Sequence, residues 1–175
     1  VVRIDPLGLQ GKDYSVEAWI RPENPSPGRC FILGAEAWER QVFMVDFGLP
    51  TDAGHQGRLV LKHRRWDQGQ NIRLVSAPVE FVVGRWVHVA GTFSQENGMA
   101  VYLNGKLCGL DMSLTDASDM GFTCIGASGD GRTEDVGDVF GVFPGSIDEV
   151  SVYSRELSYS EIRERSRQPR DAASR

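Results

Sequence analysis

The dipeptide Asn104-Gly105 stands between Val101-Tyr102-Leu103 and Lys106-Leu107-Cys108. Both turn residues tolerate positive φ, as a two-residue type I′ connection demands, so this stretch is committed to an antiparallel hairpin. The same period of two recurs at Tyr14-Ser15-Val16-Glu17-Ala18-Trp19-Ile20, where Tyr14, Val16, Ala18 and Ile20 share one face and Arg21-Pro22 ends the run. Further strands are predicted over 30–34, 41–47, 58–62, 71–75, 86–93, 99–103, 106–110, 122–126 and 146–153, a spacing that suits a sandwich. Gly (20) and Val (18) outnumber Leu (12), which excludes a bundle of long helices. One short helix is expected near the end, where Ser158-Tyr159-Ser160-Glu161 forms a capping box before Ile162. At 175 residues and 41% hydrophobic, the chain makes one domain and needs neither metal nor disulfide merely to form a core. The reading is all-β: a two-sheet antiparallel β-sandwich over 1–168, followed by a polar tail or linker over 169–175.

Charge narrows the partners. The net charge is −5, from 19 basic and 24 acidic residues. Residues 111–150 hold nine carboxylates against Arg132 alone, which is −8 and leaves +3 for the remainder. No nucleic-acid footprint is expected from such a balance, and Arg163, Arg165, Arg167, Arg170 and Arg175 read as a solvated end. Cys30, Cys108 and Cys124 cannot all pair within one chain and lack the spacing of a zinc or redox motif; whether Cys108 and Cys124 bond stays open. No apolar run reaches the eighteen or so residues of a membrane-spanning helix, and nothing at the start is patterned as a signal peptide. Beginning at Val1, the sequence reads as a piece of a longer protein.

The segment Phe143-Pro144-Gly145-Ser146-Ile147-Asp148-Glu149-Val150-Ser151-Val152-Tyr153 carries the clearest chemical question. If Val150 and Val152 face the core, strict alternation turns Asp148 inward as well; if Ile147 does, a bulge intervenes. A carboxylate is expected beside the core either way. It must then accept hydrogen bonds, pair with a cation or ligate a hard metal, and the hydrogen-bonded fate is the commoner one.

Four segments together resemble the laminin G-like jelly-roll modules of the concanavalin A-like lectin/glucanase superfamily. They are Tyr14 to Pro22, Gly84-Arg85-Trp86-Val87-His88-Val89-Ala90-Gly91-Thr92-Phe93, Val101 to Lys106, and Gly145-Ser146-Ile147-Asp148-Glu149-Val150 running on through Tyr153-Ser154-Arg155-Glu156-Leu157-Ser158. The resemblance implies two curved antiparallel sheets and a non-catalytic recognition or adhesion module of a larger extracellular or cell-surface protein. Its partners would be a glycan or an extracellular protein, together with other domains of the parent chain. It also implies a structural calcium ion with Asp148 as ligand, completed by main-chain carbonyls near Gly34. Related β-glucanases place their carboxylates as Glu-x-Asp-x-x-Glu; that pattern is missing here, so no enzyme is expected. A purely structural inter-domain module and an atypical glycoside hydrolase are the alternatives.

Trp19 and Trp86 lie in strands and are expected to pack there. Trp38 and Trp66 sit among charged residues in loop-like segments, as platforms for a sugar face or partner, or else folded back over the sandwich edge. His55, His63 and His88 form no zinc motif, and His88 is expected to pack within its strand. The stretch from Gly129 to Asp138 lacks EF-hand spacing and reads as a solvated loop.

Overall fold

The computed structural model describes residues 1–5, 7–24, 28–34, 41–51, 54–65, 71–117, 122–129 and 139–168. Its strands are β1 (Val2–Arg3), β2 (Tyr14–Pro22), β3 (Gly28–Gly34), β4 (Gln41–Thr51), β5 (Gly54–Arg65), β6 (Asn71–Phe81), β7 (Val87–Ser94), β8 (Gly98–Leu103), β9 (Lys106–Asp111), β10 (Cys124–Ile125), β11 (Ser128–Gly129), β12 (Val139–Phe140) and β13 (Gly145–Tyr153). One helix, α1, spans Tyr159–Arg165. A six-stranded sheet in the order β1-β10-β3-β4-β5-β6 packs on a five-stranded sheet in the order β13-β2-β7-β8-β9, and β11 pairs with β12. Every pairing is antiparallel.

Alternation builds the core as expected. Tyr14, Val16, Ala18 and Ile20 of β2 are fully buried against Phe43, Leu59 and Leu61 of the opposite sheet. The Asn104-Gly105 hairpin also forms, with φ of 48° and 73°. Strands β2 and β7 differ from an ordinary half-buried strand, because nearly all their residues are buried on both faces. The reason lies in α1. Ile162 and Leu157 cover Ala90, Ala100 and Tyr102 on the outer face of the five-stranded sheet, forming a second apolar cluster.

A seven-residue helix is too short to persist alone. It holds through docking and through its cap, in which Ser158 Oγ accepts from Glu161 N–H and the Glu161 carboxylate accepts from Ser158 N–H at 2.8 Å. Burying a side chain such as Ile162 contributes about 1.5–3 kcal/mol. Ser15 of β2 ties down the approach to the helix: its hydroxyl donates to the Arg155 carbonyl at 2.9 Å and accepts from Leu157 N–H at 2.8 Å.

Strict alternation fails in β13, as it does at irregularities in β3, β4 and β8–β9. Ile147, Val150 and Val152 all pack on the core, while Asp148 pairs with Trp19 and Ser151 with Glu17, so β13 carries one extra residue. Glu149 absorbs it at φ 50°. The bulge turns Asp148 outward to an exposed position, which corrects the expectation of a carboxylate lying beside the core there.

Candidate functional site

The outer face of the five-stranded sheet carries two polar constellations, one closed and one open. Glu17 of β2 and His88 of β7 project from it beneath the helix, with side chains only 7% and 2% exposed. His88 Nε2 lies 3.3 Å from Glu17 Oε2. On the other carboxylate oxygen converge the Tyr153 hydroxyl, donating at 2.7 Å, and the Arg165 guanidinium at 3.1 Å. Arg165 also donates to the Tyr153 hydroxyl at 2.5 Å and lies over its ring. Trp19 packs edge-on against His88, with ring centroids 5.4 Å apart. Burial pushes the Glu17 carboxyl up, but contacts from His88 and Tyr153 and the charges of His88 and Arg165 more than offset this and hold it below its ordinary value. Glu17 Oε2 and His88 Nδ1 are buried without a hydrogen-bond partner among the described residues, yet neither atom is open to solvent. Chemically this is a clamp between sheet and helix.

The open constellation lies beside the N-terminus of α1, where a groove of about 490 Å³ is cut between the helix, the β7–β8 turn and the end of β9. That volume falls within the ~300–1,000 Å³ of small-ligand sites. Tyr102 and Leu157, 8% and 2% exposed, form its floor. Tyr159 stands half exposed on the first turn of the helix, its ring centroid 6.5 Å from that of Tyr102 with 33° between the planes. Leu110 and Met112 supply exposed apolar surface on the β9 side. Asn97 and Glu156 make the polar rim, Asn97 Nδ2 donating to Glu156 Oε2 at 2.8 Å. Burial raises the Tyr102 hydroxyl pKa; a hydrogen bond to Thr92 opposes that shift, and the Glu156 charge reinforces it.

Local sequence explains the shape. Gly98 takes φ 80°, and a Cβ there would collide with the Asp111 carbonyl, so only glycine lets the turn bearing Asn97 close onto the end of β9. Ser94 Oγ accepts from the N–H groups of Glu96 and Asn97 and sets the turn. The arrangement offers ring faces, aliphatic walls, a carboxylate and an amide. It can hold a ligand with both C–H and O–H surface. A glycosidase needs two carboxyls across the scissile bond, ~5.5 Å apart for retention and farther for inversion. Glu156 is the one carboxylate among the described residues lining the groove.

The residues singled out from sequence are distributed differently. Trp38 and Trp66 lie outside the described residues, as do residues 130–138 of the acidic stretch and the expected tail 169–175. The strand ends that flank 35–40 and 66–70 are described: Gln41 pairs with His63 near the end of β5, and His63 packs on Phe93 of β7 with centroids 4.7 Å apart. Those ends therefore share one end of the sandwich with the turn that rims the groove. Asp148 is not brought to the groove. It sits beside Trp19, one oxygen accepting from Glu149 N–H at 2.8 Å. Among the described residues no three His, Cys, Asp or Glu converge as a metal site, so an ion on Asp148 would depend on carbonyl and water oxygens. The Gly34 carbonyl belongs to the other sheet and accepts from Thr123 N–H at 2.8 Å. None of the three cysteines forms a disulfide, and Cys30 and Cys124 are buried; burial and then the Asp46 charge push the Cys30 thiol up to about 11. His88 packs within its strand as expected, Trp19 packs on it, and Trp86 lies under the Arg21 guanidinium at 5.2 Å.

Sequence reading passed over Tyr102, Tyr159, Asn97 and Glu156. An aromatic residue on the solvent-facing first turn of a capped helix, three residues after Glu156, is the available signal. Its partners across the sheet had none.

The laminin G family model described as the concanavalin A-like lectin/glucanases superfamily matches residues 1–163. No curated protein matches the sequence. Among solved structures, the native heptameric SAP-like pentraxin of Limulus polyphemus aligns at TM-score 0.65 and 20% identity, over 92% of this chain and 72% of that one. The CBM40 of Ruminococcus gnavus IT-sialidase aligns at TM-score 0.61 and 16% identity, over 94% of this chain and 95% of that one. The ligand-binding domain of botulinum neurotoxin serotype D, in complex with N-acetylneuraminic acid, aligns at TM-score 0.56 and 15% identity, over 89% of this chain and 36% of that one. At these identities the likeness is one of fold. No helix among the described residues is long and apolar enough to cross a membrane.

Proposed function

The chain belongs to the concanavalin A-like lectin/glucanases superfamily, and from that premise we propose that it is a non-catalytic recognition module whose ligand is a glycan. The observation that carries this reading is the groove between α1 and β9, which combines tyrosine rings with an open amide and carboxylate rim. Pyranose rings present apolar C–H faces that stack on aromatic rings and equatorial hydroxyls that need paired acceptors. The single carboxylate among the described lining residues supports binding over hydrolysis. Structural neighbours that include a sialidase CBM40 and a toxin domain holding N-acetylneuraminic acid favour the same class of role.

Trp38 and Trp66 enter the proposal as further stacking platforms, since the strand ends flanking their segments share the groove's end of the sandwich. Calcium enters it through the family resemblance: Asp148, an exposed carboxylate held at a bulge, is the ligand on offer, and the ion would stabilise the fold without reacting. An extracellular or cell-surface parent protein is the matching setting.

Two assays on the intact chain test these points. A glycan array is expected to return bound saccharides, with no reducing sugar released from the same panel; failure of every glycan to bind defeats the recognition reading, and sugar release defeats the non-catalytic one. Addition of EDTA should lower the melting temperature of the wild type and leave Asp148→Asn unmoved. An unchanged wild-type melt removes the calcium.

A further inference from the structure

Resting on the glycan-recognition reading, we propose that the groove selects neutral saccharides and rejects those carrying a carboxylate, with Glu156 as the selecting residue. Of the described residues that line it, Glu156 is charged and none is basic. One of its oxygens accepts from Asn97, and Oε1 has no partner among the described residues. The nearest cation in sequence is already committed: Arg155 holds Glu161 through contacts of 3.1 and 2.5 Å. Ser158 Oγ is likewise occupied by the helix cap. The rim therefore offers acceptors, Glu156 Oε1 and Asn97 Oδ1, to incoming hydroxyls. A sugar hydroxyl donating to an ionised acceptor forms the stronger, charge-assisted kind of hydrogen bond. A sialic or uronic acid entering the same space would set its carboxylate against Glu156, with no basic side chain among the described lining residues to compensate it.

The walls fix the ligand's orientation. Tyr159 and Met112 are 52% and 64% exposed and line the same groove, so both remain open to contact a pyranose face. Exposed apolar surface beside paired acceptors is the pattern that ring C–H and O–H groups complement together. This specificity differs from that of the neurotoxin domain holding N-acetylneuraminic acid, which shares the fold at 15% identity.

Matched probes separate the possibilities: calorimetric titration of the intact chain with lactose, cellotriose, maltotriose and arabinotriose, against 6′-sialyllactose and trigalacturonate. At least one neutral probe is expected to bind, with both acidic probes at least tenfold weaker. Tyr159→Ala should weaken the neutral ligand about tenfold. Met112→Ala, remote from the helix cap, should weaken it severalfold and serves as the second variant if Tyr159→Ala frays the helix. Glu156→Gln should narrow the neutral-to-acidic ratio about tenfold. Neutral binding untouched by Tyr159→Ala and Met112→Ala overturns the groove assignment while leaving glycan recognition standing. Acidic probes binding as well as neutral ones, or a ratio unmoved in Glu156→Gln, overturns the charge selection. Absence of binding by every probe and every array glycan overturns both readings.

Discussion

The closed cluster around Glu17 and the open rim around Glu156 occupy the same face of the same sheet, and each joins a carboxylate to a tyrosine near helix α1. Glu17 is enclosed by His88, Tyr153 and Arg165 and has its charge compensated. Glu156 is met by one amide, and the space beyond it is open. The difference separates structural polar groups from available ones. A buried carboxylate survives only when its charge is compensated; Glu17 Oε2 and His88 Nδ1 lack hydrogen-bond partners of their own, and burial rather than saturation keeps them from a ligand. A rim carboxylate keeps its capacity because water serves as its provisional partner.

Four measurements sharpen or break that contrast. The largest effect is expected from Glu17→Ala, which strips His88 and Arg165 of their shared partner. A buried pair broken from one side costs ~3–5 kcal/mol. Arg165 is 34% exposed and can rehydrate, so the lower end, about 3 kcal/mol in urea unfolding, is expected. Tyr153→Phe removes two charge-assisted hydrogen bonds, one to Glu17 and one from Arg165, and should cost about 2 kcal/mol in the same assay. A loss within error in both variants would mean that the clamp holds nothing.

Acid titration comes next in size. Glu161 is held at about 2, against an ordinary 4.5, by the Arg155 guanidinium and then by the Ser158 cap, and Glu17 is also lowered. Each contributes stability that is complete above the ordinary value and is lost as pH falls through the folded one. Helix docking, read from the fluorescence of Trp19 beside His88, is therefore expected to hold at pH 5 and weaken between about 4.5 and 2. Undocking that begins on the alkaline side would contradict the assignment. The smallest stability effect belongs to Glu156→Ala, expected within about 0.5 kcal/mol of wild type although it removes the proposed selecting group. A loss as large as that of Glu17→Ala would make the rim structural and end the comparison.

How much of this was legible beforehand follows from the range of each signal. The hairpin at Asn104-Gly105, the alternation of β2 and the capping box at Ser158 are local, and each was read correctly. Strands β4, β5 and β6 run several residues longer than predicted. An unbroken ladder carries β5 and β6 past the apolar stretches that marked them, and β4 resumes its pairing with β5 beyond an irregularity between Phe47 and Pro50. Alternation in β13 alone leaves open whether a bulge lets both Ile147 and Val150 face the core, as they do.

The sequence by itself determined the sandwich, its principal hairpin, its single helix and its family, since these rest on period, turn chemistry and motifs that lie close together along the chain. Only the tertiary structure decided that Glu17 meets Arg165 and Tyr153 across 148 and 136 residues, and that Asn97 meets Glu156 across 59. It also decided that Asp148 points outward. Such pairings depend on how two sheets and a docked helix register against each other, and that register is set by packing of the whole core, which no local window contains.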